Sequence, residues 1–233
     1  MSDESKALFD ATLPFKVRIV RPEGDEIITM RFPSDDQWIE RSRRRKIRSR
    51  NLGNGKAQSI PEGPDPHDAE LVNGLRVGEC AEVDPYEAKR ILERISMVTF
   101  EEDPTREGAC LRIPMRVRGV RTVHVLRVPT ERQRGEFLQM SGIPAISQGS
   151  IETYGFNLGG AKELYDQLNK ESVGYAGEVP VVHKLAAVNA AFEAVDKALE
   201  GDGENPSKLN TMVRLPSPAS ALAHPCRLVS IKS

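Results

Sequence analysis

The amino-acid sequence predicts an α+β protein in which one unit, a β-hairpin followed by helices, occurs twice in tandem between extended terminal arms. A shift of 96 positions, which carries Phe15 onto Leu111, aligns two alternating apolar patterns without a gap. A helix-start signature recurs at the same offset, so that Gln37 corresponds to Gln133. The end of the chain is rich in proline and small residues, which cannot build a core of their own.

The predicted boundaries divide the 233 residues into four segments. A chain of this length can hold two small domains, each near the lower size at which a core is stable. The segments are an N-terminal arm at 1–14, a first α+β repeat at 15–107, a second α+β repeat at 111–204 and a C-terminal arm at 205–233.

Each predicted repeat opens with a hairpin. Residues 15–32 alternate as two strands do, and the proline and glycine at 21–25 indicate the connecting turn. In the second repeat the corresponding turn lies within 116–121. We therefore expect antiparallel strands at both places.

Each hairpin leads into a helix with a predicted capping box. The Ser34 hydroxyl can accept from the amide of Gln37 while the Gln37 side chain reaches back to the amide of Ser34. Thr130 and Gln133 have the same spacing in the second repeat. Asp84 is predicted to cap a later helix in the same way.

Two further helices complete each repeat. In the first repeat we expect a short helix at about 68–75 and a longer one that begins at Pro85. In the second repeat, 162–168 and 181–199 fill these places. Apolar residues recur at helical spacing along both long helices, so each is expected to bury one face.

A dense basic run follows the first cap and is predicted to form a basic helix at 41–50. Seven of these ten residues are basic, whereas the corresponding stretch of the second repeat, 137–143, is uncharged. The basic character is therefore not part of the shared scaffold. The candidate interaction surface consists of Arg41, Arg43, Arg44, Arg45, Lys46, Arg48, Arg50 and Lys56.

The basic run has two possible partners. It can pair with acidic groups of a neighbouring protein subunit, or it can neutralise the phosphates of a nucleic acid. A formal net charge of −1 offers no long-range attraction to nucleic acid, which favours the protein partner. Trp38 could stack on a base, but we expect it to pack the helix onto the hairpin.

The C-terminal arm is predicted to act through contacts with another subunit or with the body of the chain. From residue 205 onward there is no acidic residue, and the final apolar alternation suits a strand added to a sheet edge. The candidate arm contacts are Leu228, Val229 and Ile231.

The sequence contains no recognisable catalytic or cofactor motif. The glycines at 53–55 lack the spacing and the final hydroxyl of a Walker loop, and those at 155–160 do not match a dinucleotide fingerprint. The four histidines lack metal-ligand spacing, and the three cysteines are scattered. We therefore expect no enzymatic activity, no metal and no cofactor, with structural histidines and reduced thiols.

One segment resembles a known group of proteins. Residues 31–41, Arg-Phe-Pro-Ser-Asp-Asp-Gln-Trp-Ile-Glu-Arg, the arginine-rich run and 52–56, Leu-Gly-Asn-Gly-Lys, together resemble a segment of poorly characterised proteins from phage and prophage tail or virion modules. The second repeat lacks both the tryptophan and the basic run. The resemblance implies a virion component or an assembly factor.

We accordingly predict a non-enzymatic phage or prophage structural or assembly protein that contacts other subunits of a particle. The first alternative is a nucleic-acid-binding module that uses 41–50, and the second is an enzyme on an unrecognised fold. The expected location is the virion, or the bacterial cytoplasm during assembly, because the acidic start is unlike a signal peptide and no apolar run is long enough to span a membrane.

Overall fold

A computed structural model of the chain confirms the α+β class, with helices and antiparallel sheets. The structure describes residues 7–44, 46–53, 56–60, 63–78, 81–141, 143–148, 151–155 and 158–201. Arg45 and the predicted C-terminal arm, with Leu228, Val229 and Ile231, lie outside the described residues.

The first half of the chain runs from a hairpin to a long helix. Its elements are β1 (Phe15–Ile19), β2 (Glu26–Met30), α1 (Asp35–Arg44), β3 (Lys46–Gly53), β4 (Lys56–Ile60), α2 (Pro66–Leu75) and α3 (Pro85–Ser96). The second half begins with two short strands. Its elements are β5 (Val98–Thr99), β6 (Thr105–Glu107), β7 (Cys110–Val117), β8 (Val120–Arg127), α4 (Glu131–Ser141), β9 (Ile143–Gln148), β10 (Ile151–Gly155), α5 (Leu158–Leu168), β11 (Asn169–Val173) and α6 (Val181–Gly201).

Both predicted hairpins are confirmed, and their strands pair in corresponding registers. Val17 of β1 lies opposite Ile28 of β2. Ile113 of β7 lies opposite His124 of β8. Each residue of the second pair follows its counterpart in the first by 96 positions.

The turn of the second hairpin contacts the first hairpin. Arg118 and Gly119 connect β7 to β8, and both have positive φ, which gives a two-residue loop the twist that adjacent strands require. The Arg118 guanidinium lies 3.8 Å from the centroid of the Phe15 ring. This contact helps to join the two halves.

The three predicted helix caps are confirmed. At α1, the amide of Gln37 donates to Ser34 Oγ at 3.3 Å and the amide of Ser34 donates to Gln37 Oε1 at 2.9 Å. At α4, the amide of Gln133 donates to Thr130 Oγ1 at 3.2 Å and the amide of Thr130 donates to Gln133 Oε1 at 3.1 Å. Asp84 caps α3 with the same two-way arrangement.

The prediction of a basic helix at 41–50 is wrong from Lys46 onward. α1 ends at Arg44 and β3 begins at Lys46. The basic residues of β3 occupy alternate positions, a strand-like period that the density of charge obscured. Pairing with strands on both sides then favours the extended conformation. The sequence patterns did not predict the hairpins β3–β4 and β9–β10.

The two halves share a four-stranded antiparallel sheet, here called the central sheet, with the strand order β4-β3-β10-β9. Its middle pair joins the halves, with Arg50 opposite Ile151 and Lys46 opposite Gly155. Each half contributes one hairpin. Within the part of the chain that the structure describes, β4 and β9 have a strand partner on one side only.

The other two sheets differ in width. β1 and β2 form a two-stranded sheet, beside which Arg76 bridges to Met30. β7 and β8 lie at the centre of a five-stranded sheet, in which β11 pairs with β8 while β5 and β6 pair with β7.

A single hydrophobic core contains residues of both halves. The predicted apolar faces of the two long helices are confirmed, since Ile91 and Leu92 of α3 and Leu185 and Val188 of α6 are buried. The halves therefore form one packed body and do not fold around separate cores.

The described part of the predicted N-terminal arm at 1–14 packs against this body. Phe9 is buried, and its amide donates to the carbonyl of Gly174 at 2.8 Å. Its ring meets Tyr175 and His183 edge to face, at centroid distances of 5.9 and 5.1 Å. Burial of this ring between elements of both halves holds the segment in place.

Candidate interaction surfaces

The structure divides the predicted basic surface between the end of a helix and two strands. The helical residues are Arg41, Arg43 and Arg44. The strand residues are Lys46, Arg48 and Arg50 in β3 and Lys56 at the start of β4. The basic run therefore does not form one helix face.

Arg41 is a structural residue that joins α1 to α2. Its Nε lies 2.7 Å from Asp68 Oδ1 and its Nη2 lies 2.8 Å from Asp68 Oδ2, a two-bond pairing. The side chains of Arg41 and Asp68 are only 10% and 2% exposed. Arg41 is therefore committed to the fold and is not free to bind a partner.

Arg43 and Arg44 remain on the surface and share one carboxylate. Arg44 Nε lies 3.0 Å from Glu40 Oε1, and Arg43 Nη1 lies 4.0 Å from Glu40 Oε2. Exposed pairs of this kind contribute little to stability. Two guanidinium groups against one carboxylate leave a local positive charge at the end of α1.

Acidic side chains line the groove next to these arginines. The groove, between α1 and α2, has a volume of about 340 Å³. Its lining includes Asp36, Glu40, Asp65 and Glu70. These carboxylates would repel a phosphate that approached Arg44 along the groove.

The basic residues of β3 form a separate group. Lys46, Arg48 and Arg50 occupy alternate positions, all opposite uncharged positions of β10. Alternate positions of a strand belong to one face of its sheet. These three positions, here called the basic row, cross the middle of the central sheet.

α1 also connects the two halves through residues that the sequence patterns did not single out as contacts. Asp35 Oδ1 accepts from the amide of Val181 at 2.8 Å, and Asp35 Oδ2 lies 3.3 Å from Lys162 Nζ. The hydrogen bond to Asp35 raises the pKa of Lys162. Ser42 Oγ accepts from the amide of Leu158 at 3.5 Å. The acidic first turn of α1 therefore contacts both α5 and α6.

Trp38 is a packing residue of α1 and lies against Phe32, in the segment that connects the first hairpin to α1. Its side chain is 2% exposed, and its ring lies 5.9 Å from that of Phe32. A buried indole cannot stack on a base, so Trp38 contributes nothing to a nucleic-acid site.

A buried polar cluster lies between β8, α5 and the residues after β11. His124 Nδ1 lies 2.6 Å from the Tyr165 hydroxyl and its Nε2 lies 3.1 Å from the Tyr175 hydroxyl. Burial lowers the pKa of His124 from 6.5 to about 4, so its ring is neutral at pH 7. A neutral imidazole has one donor and one acceptor, so one phenol donates to it and the other accepts. The cluster is a hydrogen-bonded part of the core.

His183 is a second fully buried ring, without a hydrogen-bond partner among the described residues at either nitrogen. Its neighbours are aromatic, with Phe9 at 5.1 Å and Phe32 at 5.8 Å between ring centroids. Burial, with a smaller effect of His124, lowers the pKa of His183 from 6.5 to about 3. The expected structural role of the histidines thus agrees with the packing of these two.

No family model, curated protein or solved structure matches this chain. Across the described ranges, no group of three or more His, Cys, Asp or Glu side chains is arranged to hold a metal ion. None of the helices in these ranges combines the length and the apolar character that crossing a membrane requires.

Proposed function

We propose that this protein is a non-enzymatic structural or assembly protein of a phage or prophage virion or tail-like particle, where it contacts other protein subunits. The observation that carries the proposal is the central sheet, whose outer strands β4 and β9 each have an unpaired side among the described residues. An open strand presents main-chain donors and acceptors that pair with an extended segment of another chain.

The resemblance to phage and prophage proteins supports the same role. The resembling segment, 31–56, extends through α1 and β3 to the first residue of β4. It therefore leads into one of the two open edges. Its helical arginines contact carboxylates of their own chain, as the Arg41 to Asp68 pair illustrates.

We also propose that the two halves are tandem copies of one unit. The equal offset of the hairpin registers and of two capping boxes supports this origin. An alignment of relatives would test it, because the offset between the halves should persist from the hairpin to the last helix. An offset that changes from one element to the next would argue against duplication.

Fractionation of particles tests the proposed role. Cells that carry the gene would be induced to produce phage, and the lysate would be separated on a density gradient and probed with an antibody against the purified protein. We expect the protein to sediment with particles or their assembly intermediates and to remain there after nuclease treatment. Recovery only in the free-protein fractions, while particles sediment normally, would contradict the proposal.

A nucleic-acid-binding module is the second candidate, and the basic row in β3 favours it. Purified protein would be titrated with duplex and single-stranded DNA across a salt series. We expect no micromolar binding, since the net charge of −1 provides no long-range attraction. Micromolar, steeply salt-dependent binding that is lost in Arg48→Ala/Arg50→Ala but kept in Arg43→Ala/Arg44→Ala would instead favour the basic row as a nucleic-acid site.

A further inference from the structure

We infer that the central sheet continues from one molecule to the next, with β9 of one chain paired antiparallel to β4 of a second copy. The pairing rests on the proposed function, because it names the partner that the open edges would bind in an assembly.

The proposed pairing repeats a contact that already exists within the chain, the pairing of β3 with β10. β3 and β9 are the first strands of their hairpins and follow α1 and α4, while β4 and β10 are the second strands. An offset of 96 carries β3 at 46–53 onto 142–149, which includes β9. The same offset carries β4 at 56–60 onto 152–156, which overlaps β10. The junction between the halves, β3 with β10, therefore joins a first strand to a second strand.

The two open edges present the same two kinds of strand. β9 is a first strand and β4 a second strand, at opposite ends of the order β4-β3-β10-β9. All neighbouring strands in this sheet are antiparallel. Pairing β9 with β4 of another copy repeats the junction between the halves and keeps the strand directions alternating.

This contact joins two different surfaces of identical molecules, so it does not close on itself as a two-fold dimer would. Each added copy leaves one β4 and one β9 unpaired. Repetition of such a contact produces a ring or a filament.

The association should be reversible. β4 has five residues and β9 has six, so the strand contact alone falls short of the area typical of a stable interface. Pro144 in β9 has no amide hydrogen to donate, which removes one donor from that strand. In a larger assembly each molecule would be held at several contacts at once, which would strengthen its binding without a different kind of strand contact.

Proline substitutions can block one edge at a time. Successive amides of a strand point to opposite sides, so one of Ala57→Pro and Gln58→Pro removes an outward donor of β4 and spares its pairing with β3. Ala145→Pro and Ile146→Pro are the corresponding alternatives for β9. From each pair we would use the variant that keeps the wild-type circular dichroism spectrum and melting temperature. Ile27→Ser, at an exposed position of β2, is the matched control on another surface.

Mass measurement by light scattering and analytical ultracentrifugation, from low to high micromolar concentration, tests the pairing. Wild type and Ile27→Ser should form multimers whose mean mass rises with concentration, whereas each blocked variant alone should remain a monomer. An equimolar mixture of the β4-blocked and β9-blocked variants should form a one-to-one dimer and nothing larger, because it contains a single compatible junction.

Three results would overturn the pairing. A wild-type monomer at every concentration would exclude it, and a blocked variant that still dimerises by itself would indicate a two-fold contact between identical edges. If neither block lowers the mass but truncation after Glu204 does, the C-terminal segment mediates assembly instead. If the purified chain is a monomer but sediments with particles, the pairing is refuted and the proposed function stands. If the chain forms multimers but never sediments with particles, the proposed function is refuted and the pairing stands.

Discussion

The helices α1 and α4 begin with the same kind of capping box, but the residues that follow differ. In α1 an aromatic residue comes one turn before an arginine, whereas in α4 the arginine comes first. Trp38 and Arg41 of α1 precede Arg134 and Phe137 of α4 by 96 positions. In α1 the buried anchor is Trp38, with the Arg41 guanidinium 5.7 Å from its ring. In α4 the buried anchor is Phe137, and Arg134 lies 5.9 Å from the ring of Phe192 in α6.

The exchange changes the surroundings of each arginine. The Arg41 to Asp68 pair is almost fully buried between α1 and α2. Arg134 pairs with Asp196 of α6, where the two side chains are 26% and 41% exposed. The arginine at the later position, in α1, is therefore part of the core, whereas the arginine at the earlier position, in α4, remains at the surface.

The largest expected effect comes from removing the anchor of α1. Trp38→Ala should lower the free energy of unfolding by about 4 kcal/mol, because it leaves a cavity where the indole meets Phe32. Arg134→Ala, at the corresponding position of α4, should cost less than about 1 kcal/mol because its ion pair is partly solvated. Urea unfolding of both variants measures the contrast. Equal losses would mean that the two positions have the same role.

The two ion pairs should differ next. Asp68→Ala should cost about 3 kcal/mol, because it leaves the Arg41 guanidinium buried without a counter-charge. Asp196→Ala should cost about 0.5 kcal/mol at its more exposed site.

The double variant Arg41→Met/Asp68→Ala provides the control for burial of charge. It should recover part of the loss, since it removes both charges together. If the double variant were less stable than Asp68→Ala alone, the Arg41 side chain would stabilise the fold by packing as well as by its ion pair with Asp68.

The last helices of the halves offer a contrast in pH dependence. His183 of α6 corresponds to Glu87 of α3, which closes a capping box at the surface. Because the pKa of His183 is about 3 in the folded protein and near 6.5 when exposed, the unfolded chain binds the proton more readily. Titration of His183 therefore leaves the free energy of unfolding unchanged above pH 6.5 and lowers it as the pH drops from 6.5 towards 3.

His183→Leu should reduce this acid sensitivity without removing a hydrogen bond. The measurement is the free energy of unfolding as a function of pH, compared with wild type. His67→Gln, at an exposed histidine, is the matched control and should change the profile less than His183→Leu does, because its contacts are solvated. If the His183 variant kept the wild-type dependence of unfolding free energy on pH between pH 6.5 and 3, His183 would not be the group responsible for it.

The caps that the two helices share should have smaller effects than Trp38 and Asp68, and the two caps should have equal ones. Ser34→Ala and Thr130→Ala should each cost about 1 kcal/mol, because each leaves a helix-start amide without its side-chain acceptor. Thermal unfolding of both variants, with Ser→Thr and Thr→Ser exchanges as conservative controls, measures the loss. A loss in only one of them would show that the two boxes are not equivalent in energy.

Features that depend on nearby residues could be predicted from the sequence. The hairpins at 15–32 and 111–128 follow from strand-like alternation and turn residues, and the caps at Ser34, Thr130 and Asp84 follow from one short side chain three positions before a Gln or Glu. The apolar spacing along α3 and α6 likewise predicted which faces are buried.

Features that depend on distant partners could not. The run 41–50 is locally compatible with a helix, and only the neighbours β4 and β10 make Lys46–Gly53 a strand. The burial of Arg41 depends on Asp68, which lies 27 residues away in the chain. A count of basic residues cannot distinguish a buried ion pair from a binding surface.

By itself, the sequence determined the α+β class, the hairpins and the starts of the capped helices, because period and capping act over a few residues. Only the tertiary structure decided that the halves share one core and one central sheet, and that β4 and β9 are the outer strands of this sheet among the described residues. Strand pairing and burial join residues far apart in the chain, and their energy depends on partners that no local pattern specifies.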